Sequence, residues 1–362
     1  QTLVDLGFPV SGPYPTKVTD LNGDPVCIVQ AWEYTQFMGR LNVSFDDAGV
    51  VSSCKGSPVS PINADFVYED SDESDQSLSV LWDRLAVVSE LAGNSEFSLV
   101  APDDDASALL SGFDSEVEVL EKTVIGESAD DLCLERWPGQ GRSTICDRLD
   151  TYVYGSDISN IVAKAFLTVT PTADIAIQNG GGVRVDVAAG EFTISDAFTL
   201  LPFSNTLVTL EMTGEEVVAV LEDALSNTLD DGGSSGSYPY ASGLRYDVDA
   251  SAPFGSRISN VEVNPRVEGD WQPIDTGAPY PVVTNDFIAS GRDGYDTFGE
   301  IFNAGLFEDT FTEYAQGLID YVELLTEMGE SLTRLPLDEY STQSYIGRDG
   351  CDHSATESCE SY

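Results

Sequence analysis

The first 60 residues alternate short apolar runs with turn-forming residues, a pattern typical of short β-strands. Strands are predicted over residues 26–31 and 39–45. The segment from Asp20 to Asp24 has the composition of a hairpin turn between earlier strands. Residues 1–60 are therefore predicted to form a small β segment.

Between residues 61 and 116 the spacing of apolar residues becomes helical. A helix with one apolar face is predicted over residues 77–91, and residues 104–110 can form a second, short helix. We interpret residues 61–116 as a helical connector between domains. A surface helix with no connecting role fits the same residues.

From residue 117 to residue 346 strands and helices alternate, so the predicted fold class is α+β with a mixed α/β core. Ser156 or Asp157 is expected to cap one helix, and Thr213 starts a second with capping-box spacing. Strands are predicted at 118–126, 173–179 and 280–284, a flexible loop at 230–237, and a polar tail at 347–362.

The charge balance excludes several classes of partner. With 63 Asp and Glu residues against 16 Lys and Arg, the formal charge is −47, so neither a nucleic-acid backbone nor an anionic lipid surface is an expected ligand. No apolar run reaches the roughly 18 residues of a membrane span. The acidic runs at 69–75 and 103–105 lack the spacing of an EF-hand loop. A hydrated acidic surface explains them better than a calcium site.

The six cysteines fall into pairs that are local in sequence: Cys27 with Cys54, Cys133 with Cys146, and Cys351 with Cys359. These spacings suit disulfides that close small loops, although other pairings are possible. Disulfides persist in oxidising compartments, so an extracellular or periplasmic location is expected. The glycosylation sequon at residues 42–44 is compatible with secretion.

One segment places a cation directly after glycines, in a chain with few cations: Asn179-Gly180-Gly181-Gly182-Val183-Arg184. Glycines permit positive φ and let backbone N–H groups approach an anion closely. Gly181, Gly182 and Arg184 are therefore candidates for an anion receptor. For the glycines alone, a tight turn with an exposed arginine is the simpler interpretation, but the surrounding sequence changes it.

Three further motifs follow in order: residues 190–197, Leu201-Pro202-Phe203-Ser204-Asn205, and residues 285–295, which include Asn285-Asp286-Phe287 and Gly291-Arg292-Asp293-Gly294. Together with the glycine motif they resemble the C-terminal, substrate-binding domain of the extracellular 5′-nucleotidases. The resemblance spans most of residues 117–346, which are predicted to form this domain, and implies that family's fold. Segments within residues 12–41 resemble the closing strands of the metallophosphatase domain that precedes it in the family.

The resemblance implies a nucleotide or nucleoside as ligand. A nucleotide requires aromatic faces for its base and cations or N–H groups for its phosphates. Phe203 and Phe287 match the two aromatic residues that sandwich the base, and Asp293 matches the acidic residue that contacts the sugar hydroxyls. Arg184 matches the arginine that meets the anion, and Asn179 matches its neighbouring asparagine.

A second family arginine lies near the start of the domain, in the stretch from Cys133 to Ser143. Arg136 and Arg142 are both candidates. Arg142 is preferred, because Gly-Arg-Ser resembles an anion-facing loop more closely. Arg292 is either a third cation or an exposed turn residue.

The sequence departs from the family in its metal ligands. Hydrolysis in the family relies on two divalent metal ions, which need several His, Asp and Asn ligands. This chain has one histidine, His353, which is expected to be exposed in the tail. No catalytic residue or metal site is therefore predicted here, and the two metals are expected in a catalytic domain that is missing from this chain.

Two functions from different classes fit these observations. The first is the nucleotide-binding portion of a secreted 5′-nucleotidase-like phosphoric ester hydrolase, which associates with the missing metallophosphatase domain and is not catalytic alone. The second is a structural or interaction subunit of an extracellular assembly that reuses the fold and self-assembles.

Overall fold

The structure of the chain is a computed structural model, which describes residues 12–21, 23–31, 37–63, 67–69, 75–77, 81–355 and 359. The chain divides into two compact units, residues 1–115 and 116–362. The finer division at residues 60 and 346 stays a prediction. Within the described ranges, none of the helices combines the length and apolar character needed to cross a lipid bilayer.

The first unit consists mainly of short strands. These strands are β1 (Thr16–Thr19), β2 (Pro25–Ile28), β3 (Met38–Phe45), β4 (Val51–Asn63), β5 (Val67–Glu69), β6 (Asp75–Ser77) and β7 (Phe97–Val100). Helix α1 (Leu81–Ala92) lies between β6 and β7 in the sequence. Helix α2 (Asp104–Glu121) follows β7 and continues into the residues assigned to the second unit. β1 pairs with β2, β5 pairs with β6, and β3, β4 and β7 form a three-stranded sheet.

The predicted hairpin turn between Asp20 and Asp24 is confirmed. The backbone N–H of Asp24 donates to Oδ1 of Asp20 at 2.8 Å. Gly23 adopts a φ of +90°, a conformation that favours glycine. Strands β2 and β3 match the runs predicted at 26–31 and 39–45, although β2 ends earlier. The β segment therefore follows from its local pattern.

Helix α2 is much longer than the helix predicted at 104–110. It continues to Glu121, so the strand predicted over 118–126 is wrong in its first half and begins only at Val124. Alternating valines before residue 120 fit the period of a strand. Extending an existing helix is nevertheless easier than ending it, because each added residue gains a hydrogen bond without a new nucleation step.

Some predictions fall partly outside the described residues. They include residues 78–80 of the predicted first helix, 70–74 of the first acidic run, and 32–34 of the segments that resemble the metallophosphatase domain. Residue 22 of the predicted hairpin turn and residues 356–358 and 360–362 of the predicted tail also lie outside the described residues. Helix α1 covers the first helix prediction from Leu81 onward, but the prediction is wrong at Ser77, which is the last residue of strand β6.

The second unit alternates strands and helices, which confirms the predicted α+β class. Its strands are β8 (Val124–Ser128), β9 (Ile175–Asn179), β10 (Gly190–Thr193), β11 (Thr206–Thr213), β12 (Pro239–Ser242), β13 (Leu244–Asp249), β14 (Ile258–Val263), β15 (Gln272–Pro273), β16 (Pro279–Asn285), β17 (Phe307–Glu313) and β18 (Thr342–Ile346). Its helices are α3 (Asp157–Val169), α4 (Ile194–Leu200), α5 (Gly214–Leu229), α6 (Asp286–Ala289), α7 (Asp296–Asn303) and α8 (Tyr314–Met328).

A five-stranded sheet in the order β12–β9–β16–β11–β17 forms the centre of this unit. β9 and β16 are parallel, and the other neighbouring pairs are antiparallel. Ala176 lies in one apolar core with residues of α3, α4 and α8, whereas Ile175 and Ile177 lie in a second core with residues of α5 and α7. Because successive side chains of a strand face opposite sides, the sheet is buried on both faces.

Both predicted helix starts are confirmed. Ser156 caps α3, and its Oγ accepts the N–H of Ser159 at 3.0 Å. Thr213 and Glu216 form the capping box of α5, in which the N–H of Thr213 donates to Oε2 of Glu216 at 2.7 Å. These caps fix where the two helices begin.

The segment predicted as a flexible loop at 230–237 is ordered in its second half. Ser237 is fully buried, and its Oγ donates to the backbone oxygen of Ala224 at 2.7 Å. Nε1 of Trp137 donates to the backbone oxygen of Ser235 at 3.0 Å. Contacts with residues distant in sequence hold the segment, so its composition alone did not reveal its order.

The three predicted disulfides are confirmed: Cys27–Cys54, Cys133–Cys146 and Cys351–Cys359. Tyr152 lies under the last of these loops, and its hydroxyl oxygen accepts the N–H of Cys359 at 2.5 Å. The loop therefore packs against another part of the second unit.

The expectation that His353 is exposed is wrong. The residue is only 3% exposed, and its ring stacks on Tyr152 with 4.2 Å between the ring centroids. Nδ1 of the histidine lies 2.7 Å from the backbone oxygen of the same tyrosine. The tail appears polar in sequence, but its disulfide loop covers the histidine against an aromatic surface.

Candidate functional site

Four segments of the second unit meet at one edge of the five-stranded sheet. Because β9 and β16 are parallel neighbours, their carboxyl ends at Asn179 and Asn285 lie at the same edge. β11 and β12 run in the opposite direction, so their first residues lie there as well. Leu207 pairs with Asn285, and Pro239 pairs with Asn179. The loops at these strand ends therefore converge.

A cavity of about 220 Å³ lies at this edge. Its lining residues are Arg136, Asn179, Gly181, Gly182, Arg184, Phe203, Asn205, Ser234, Phe287 and Asp293. Every substrate-binding residue predicted from the sequence is among them except Arg142. The segments that carry these residues are far apart in the sequence, so the fold brings them together.

Two phenylalanine rings form apolar walls of the cavity. Phe203 lies in the loop before β11 and is 42% exposed, and Phe287 is half-buried at the second position of α6. Cζ of Arg184 lies 5.7 Å from the ring centroid of Phe203, and Cζ of Arg292 lies 5.7 Å from that of Phe287. A partly exposed aromatic ring in a cavity wall can provide a face on which a flat ligand stacks.

The glycine turn after β9 serves close packing. None of its three glycines has a positive φ, so the expectation of left-handed backbone is wrong. A Cβ on Gly181 would lie 2.9 Å from Cα of Gly236, and a Cβ on Gly182 would lie 2.1 Å from the hydroxyl of Tyr314. The turn needs glycine because two other segments pack directly against it. Nη1 of Arg184 donates back to the oxygen of Gly181 at 3.1 Å.

The geometry favours Arg136 over Arg142 as the second cavity arginine, which reverses the preference from the sequence. Arg136 lines the cavity, whereas the exposed side chain of Arg142 is not part of its wall. The N–H of Arg142 donates to both carboxylate oxygens of Glu135 at 2.9 Å, and the N–H of Gly141 donates to one of them at 3.0 Å. The Gly-Arg-Ser loop does bind an anion, but the anion is the chain's own carboxylate.

Glu135 fixes the backbone beside the cavity arginine. Its side chain is fully buried, and burial raises the pKa of the carboxyl, while donation from the Arg142 N–H and the Thr151 hydroxyl lowers it. The Thr151 hydroxyl donates to the carboxylate at 3.1 Å, and the hydroxyl of Tyr240 donates to the Glu135 backbone oxygen at 3.2 Å. These contacts hold the residue that directly precedes Arg136.

Asp293 provides the acidic group of the cavity. It adopts a φ of +55°, a left-handed conformation that aspartate tolerates better than most residues. Nδ2 of Asn179 donates to its Oδ2 at 3.1 Å. Burial raises the pKa of Asp293, and the Asn179 hydrogen bond and the charge of Arg136 lower it. The carboxylate is thus held in place as a hydrogen-bond acceptor.

Three further residues near the cavity are Arg292, which was considered from the sequence, and Asn205 and Ser234, which were not named there as site residues. Arg292 is exposed and stacks on Phe287, but it does not line the cavity. Asn205 ends the Leu-Pro-Phe-Ser-Asn motif, so the signal for it was present in the sequence. Ser234 reaches the cavity only because β12 pairs with β9, and no local pattern predicts that pairing.

The cavity combines groups that suit a flat, anionic ligand with polar edges. It offers two aromatic faces, two guanidinium groups, side-chain amides and one carboxylate. Across the part of the chain that the structure describes, no group of three or more His, Cys, Asp and Glu side chains is arranged to hold a metal ion.

Comparison with known protein families matches residues 135–300 to the family described as "5′-nucleotidase, C-terminal domain". These residues contain the cavity lining from Arg136 to Asp293. The motifs that carried the resemblance in the sequence lie in the matched range.

Individual proteins agree with this match. The chain is 35% identical over 330 residues to a probable 5′-nucleotidase of Treponema pallidum. This alignment covers 89% of the chain and 54% of that protein. It is 33% identical over 324 residues to the NAD 5′-nucleotidase of Haemophilus influenzae. This alignment covers 89% of the chain and 53% of that protein. The chain spans about half the length of these curated relatives.

A solved structure gives the same result. The NAD nucleotidase of Haemophilus influenzae aligns with a TM-score of 0.53 at 30% identity. The alignment covers 91% of this chain and 57% of that one.

Proposed function

The chain belongs to the 5′-nucleotidase family through its C-terminal domain, residues 135–300, and from this premise we propose that it binds a nucleotide in the cavity at the sheet edge. The observation that carries the proposal is the presence of Phe203 and Phe287 in one cavity together with Arg136 and Arg184. This combination fits the two chemically different ends of a nucleotide.

The base end is assigned to the two phenylalanines. The side chain of Phe203 is 42% exposed to water. Replacing that water with a nucleobase costs the apolar ring little free energy and adds a stacking contact. Stacking of one base on an aromatic side chain is worth roughly 1–3 kcal/mol and tolerates different bases. The proposed clamp therefore favours a purine or pyrimidine ring without selecting between them.

The anionic end is assigned to the two cavity arginines. Guanidinium groups make charge-assisted hydrogen bonds with phosphate oxygens, often in pairs. Arg136 and Arg184 reach the cavity from different segments, the loop after Cys133 and the turn after β9. Asp293 is assigned to the sugar, because a carboxylate accepts hydrogen bonds from vicinal hydroxyls and would repel phosphate.

The catalytic step is assigned to a part of the longer protein that this chain does not include. The chain has one histidine, and that residue is buried in contact with Tyr152 at the tail. A two-metal phosphatase site needs several His, Asp and Asn ligands close together. We therefore assign substrate binding to this chain, and we assign the two divalent metals and the hydrolysis to a metallophosphatase domain that associates with it.

The compartment is assigned from the disulfides. No cysteine among the described residues is free, and three disulfides in one chain suit an extracellular or periplasmic protein. Free thiols in material from the native source would contradict this location.

Replacing Phe203 with alanine tests the base clamp. Phe203→Ala is expected to weaken adenosine binding by about tenfold or more, because one stacking face is lost. Isothermal titration calorimetry of the purified chain with adenosine measures the change. Phe254→Ala is the matched control, since Phe254 is 57% exposed and does not line the cavity. Equal losses in the two variants would refute the clamp.

Neutralising each candidate arginine separately tests the anionic end. Arg136→Gln is expected to weaken AMP binding by about tenfold and adenosine binding far less, because a charge-assisted hydrogen bond to phosphate is lost. Arg142→Gln should leave both affinities unchanged, since this side chain lies away from the cavity lining. Titrations of both ligands into both variants give the comparison. Loss of AMP affinity in Arg142→Gln alone would restore the preference from the sequence.

An assay with added metal tests the assignment of hydrolysis. The purified chain, incubated with AMP and Mg²⁺, Mn²⁺ or Zn²⁺, is expected to release no more phosphate than a protein-free control. A two-metal phosphatase run in parallel shows that the conditions support turnover. Saturable phosphate release that disappears in Phe203→Ala would mean that this chain is itself the enzyme.

A further inference from the structure

A buried chain of side-chain amides lies directly behind the cavity. Gln178 and Asn285 are fully buried, and Asn179 is 4% exposed. Nδ2 of Asn285 donates to Oε1 of Gln178 at 3.0 Å and to Oδ1 of Asn179 at 3.2 Å. Nδ2 of Asn179 in turn donates to Oδ2 of Asp293 at 3.1 Å. This series of hydrogen bonds between amides therefore ends at the carboxylate of Asp293 in the cavity.

Two backbone groups set the direction of the hydrogen bonds between the side-chain amides of Gln178, Asn179 and Asn285. The backbone N–H of Ile288 can only donate, and it donates to Oδ1 of Asn285 at 3.1 Å. Nδ2 of Asn285 must therefore face Gln178 and Asn179. The backbone oxygen of Asn179 can only accept, and it accepts from Nε2 of Gln178 at 2.9 Å, which turns Oε1 of Gln178 toward Asn285.

The orientation of Asn179 follows from these constraints. Its Oδ1 accepts from Nδ2 of Asn285 and, at 3.4 Å, from Nε2 of Gln178. Only Nδ2 is left to face Asp293. Reversing the Asn179 amide would set its oxygen against the carboxylate and its NH₂ against two other donors, so the observed orientation is strongly preferred.

We propose that Asn285 is a positioning residue for sugar recognition: it orients the Asn179 amide so that Asp293 meets the ligand as an ionised hydrogen-bond acceptor. This inference rests on the proposed function, because it concerns the sugar end of the same ligand. Asn285 also caps α6, the helix that carries Phe287. One buried residue thus sets both the base wall and the sugar acceptor.

The network acts on the protonation of Asp293. Arg136 and the buried hydroxyl of Tyr295 interact electrostatically with this carboxyl, and Arg184 and Arg292 lie in the adjoining cavity wall and turn. The arginines stay charged, and burial keeps the pKa of Tyr295 well above its ordinary value. Asp293 is therefore the titrating side chain among the cavity-lining residues between about pH 4 and pH 8.

The variant Asn285→Ser isolates the donated hydrogen bonds. Serine is as good an N-cap as asparagine, so the start of α6 is kept, but serine has no amide to donate to Asn179. Asn264→Ser is the matched control, because Asn264 is also buried and donates to Gly269 away from the cavity. Circular dichroism checks that each variant is folded. If the serine variant is unstable, Asn285→Thr repeats the test with a cap of larger volume.

Two measurements decide the proposal. The first is the affinity ratio between adenosine and 2′,3′-dideoxyadenosine from pH 4 to pH 8. Wild type and Asn264→Ser are expected to prefer adenosine by about tenfold at neutral pH and to lose the preference as the pH falls through the pKa of Asp293. In Asn285→Ser the ratio should fall below about threefold, with dideoxyadenosine affinity unchanged within about twofold.

The second measurement does not depend on a ligand. Carboxyl ¹³C titration by NMR, with the Asp293 signal assigned by its loss in Asp293→Asn, gives the pKa of this residue directly. Asn285→Ser should raise it by about one pH unit, since the donor that favours the ionised form is no longer held in place.

The possible outcomes separate this inference from the proposed function. Wild-type preference for adenosine that persists in Asn285→Ser, with an unchanged Asp293 pKa, overturns the positioning role and leaves nucleotide binding standing. If wild type binds neither nucleoside, the proposed function fails and the sugar role of Asn285 fails with it. In that case a raised Asp293 pKa in the variant would support only the orientation of the amides.

Discussion

The parallel pairing of β9 with β16, inside a sheet whose other pairs are antiparallel, is the constraint on which the site depends. It places two strand ends and two strand beginnings at one edge, so that segments more than 100 residues apart share a cavity. Both faces of the sheet are buried by helices, and this edge is where the backbone leaves regular structure. Ligand sites at such edges are general in sheets with parallel neighbours.

The second constraint is charge. A chain with a formal charge of −47 repels anions at long range, but salt screens that repulsion beyond about 8 Å at physiological ionic strength. Cations must therefore act at contact distance, and Arg136 and Arg184 lie in the cavity wall itself. Among the described lining residues the carboxylate is Asp293, whose pKa is raised by burial, while the hydrogen bond from Asn179 fixes its position and, with the charge of Arg136, opposes that rise.

The parts of the fold and site that could be predicted are those with local signals. The caps at Ser156 and Thr213 and the glycine, Leu-Pro-Phe and Asn-Asp-Phe motifs each lie within a few neighbouring residues. The disulfides join cysteines that are separated by 27, 13 and 8 residues, and each cysteine pairs with the next one along the sequence. Two of the wrong predictions, at Arg142 and His353, depended on contacts between segments distant in sequence. Arg142 appeared to face a ligand, but the carboxylate bound by its loop is Glu135. His353 was predicted to be exposed, but it is buried because the tail packs against the rest of the unit.

The glycine turn shows the same limit in another form. Its sequence correctly marked a position where the backbone is approached closely, but the approaching groups are Gly236 and Tyr314 of the chain itself. Sequence can indicate that a side chain is not tolerated at a position. Which partner requires this is decided by the sheet pairing, and that pairing is not visible in any single segment.

A crystal structure of the chain soaked with AMP at saturating concentration would show directly whether the cavity binds a nucleotide. We expect the base between the rings of Phe203 and Phe287, a sugar hydroxyl hydrogen-bonded to Asp293, and phosphate oxygens within about 3 Å of the guanidinium groups of Arg136 or Arg184. AMP bound elsewhere on the chain, with this cavity empty of ligand, would contradict this expectation.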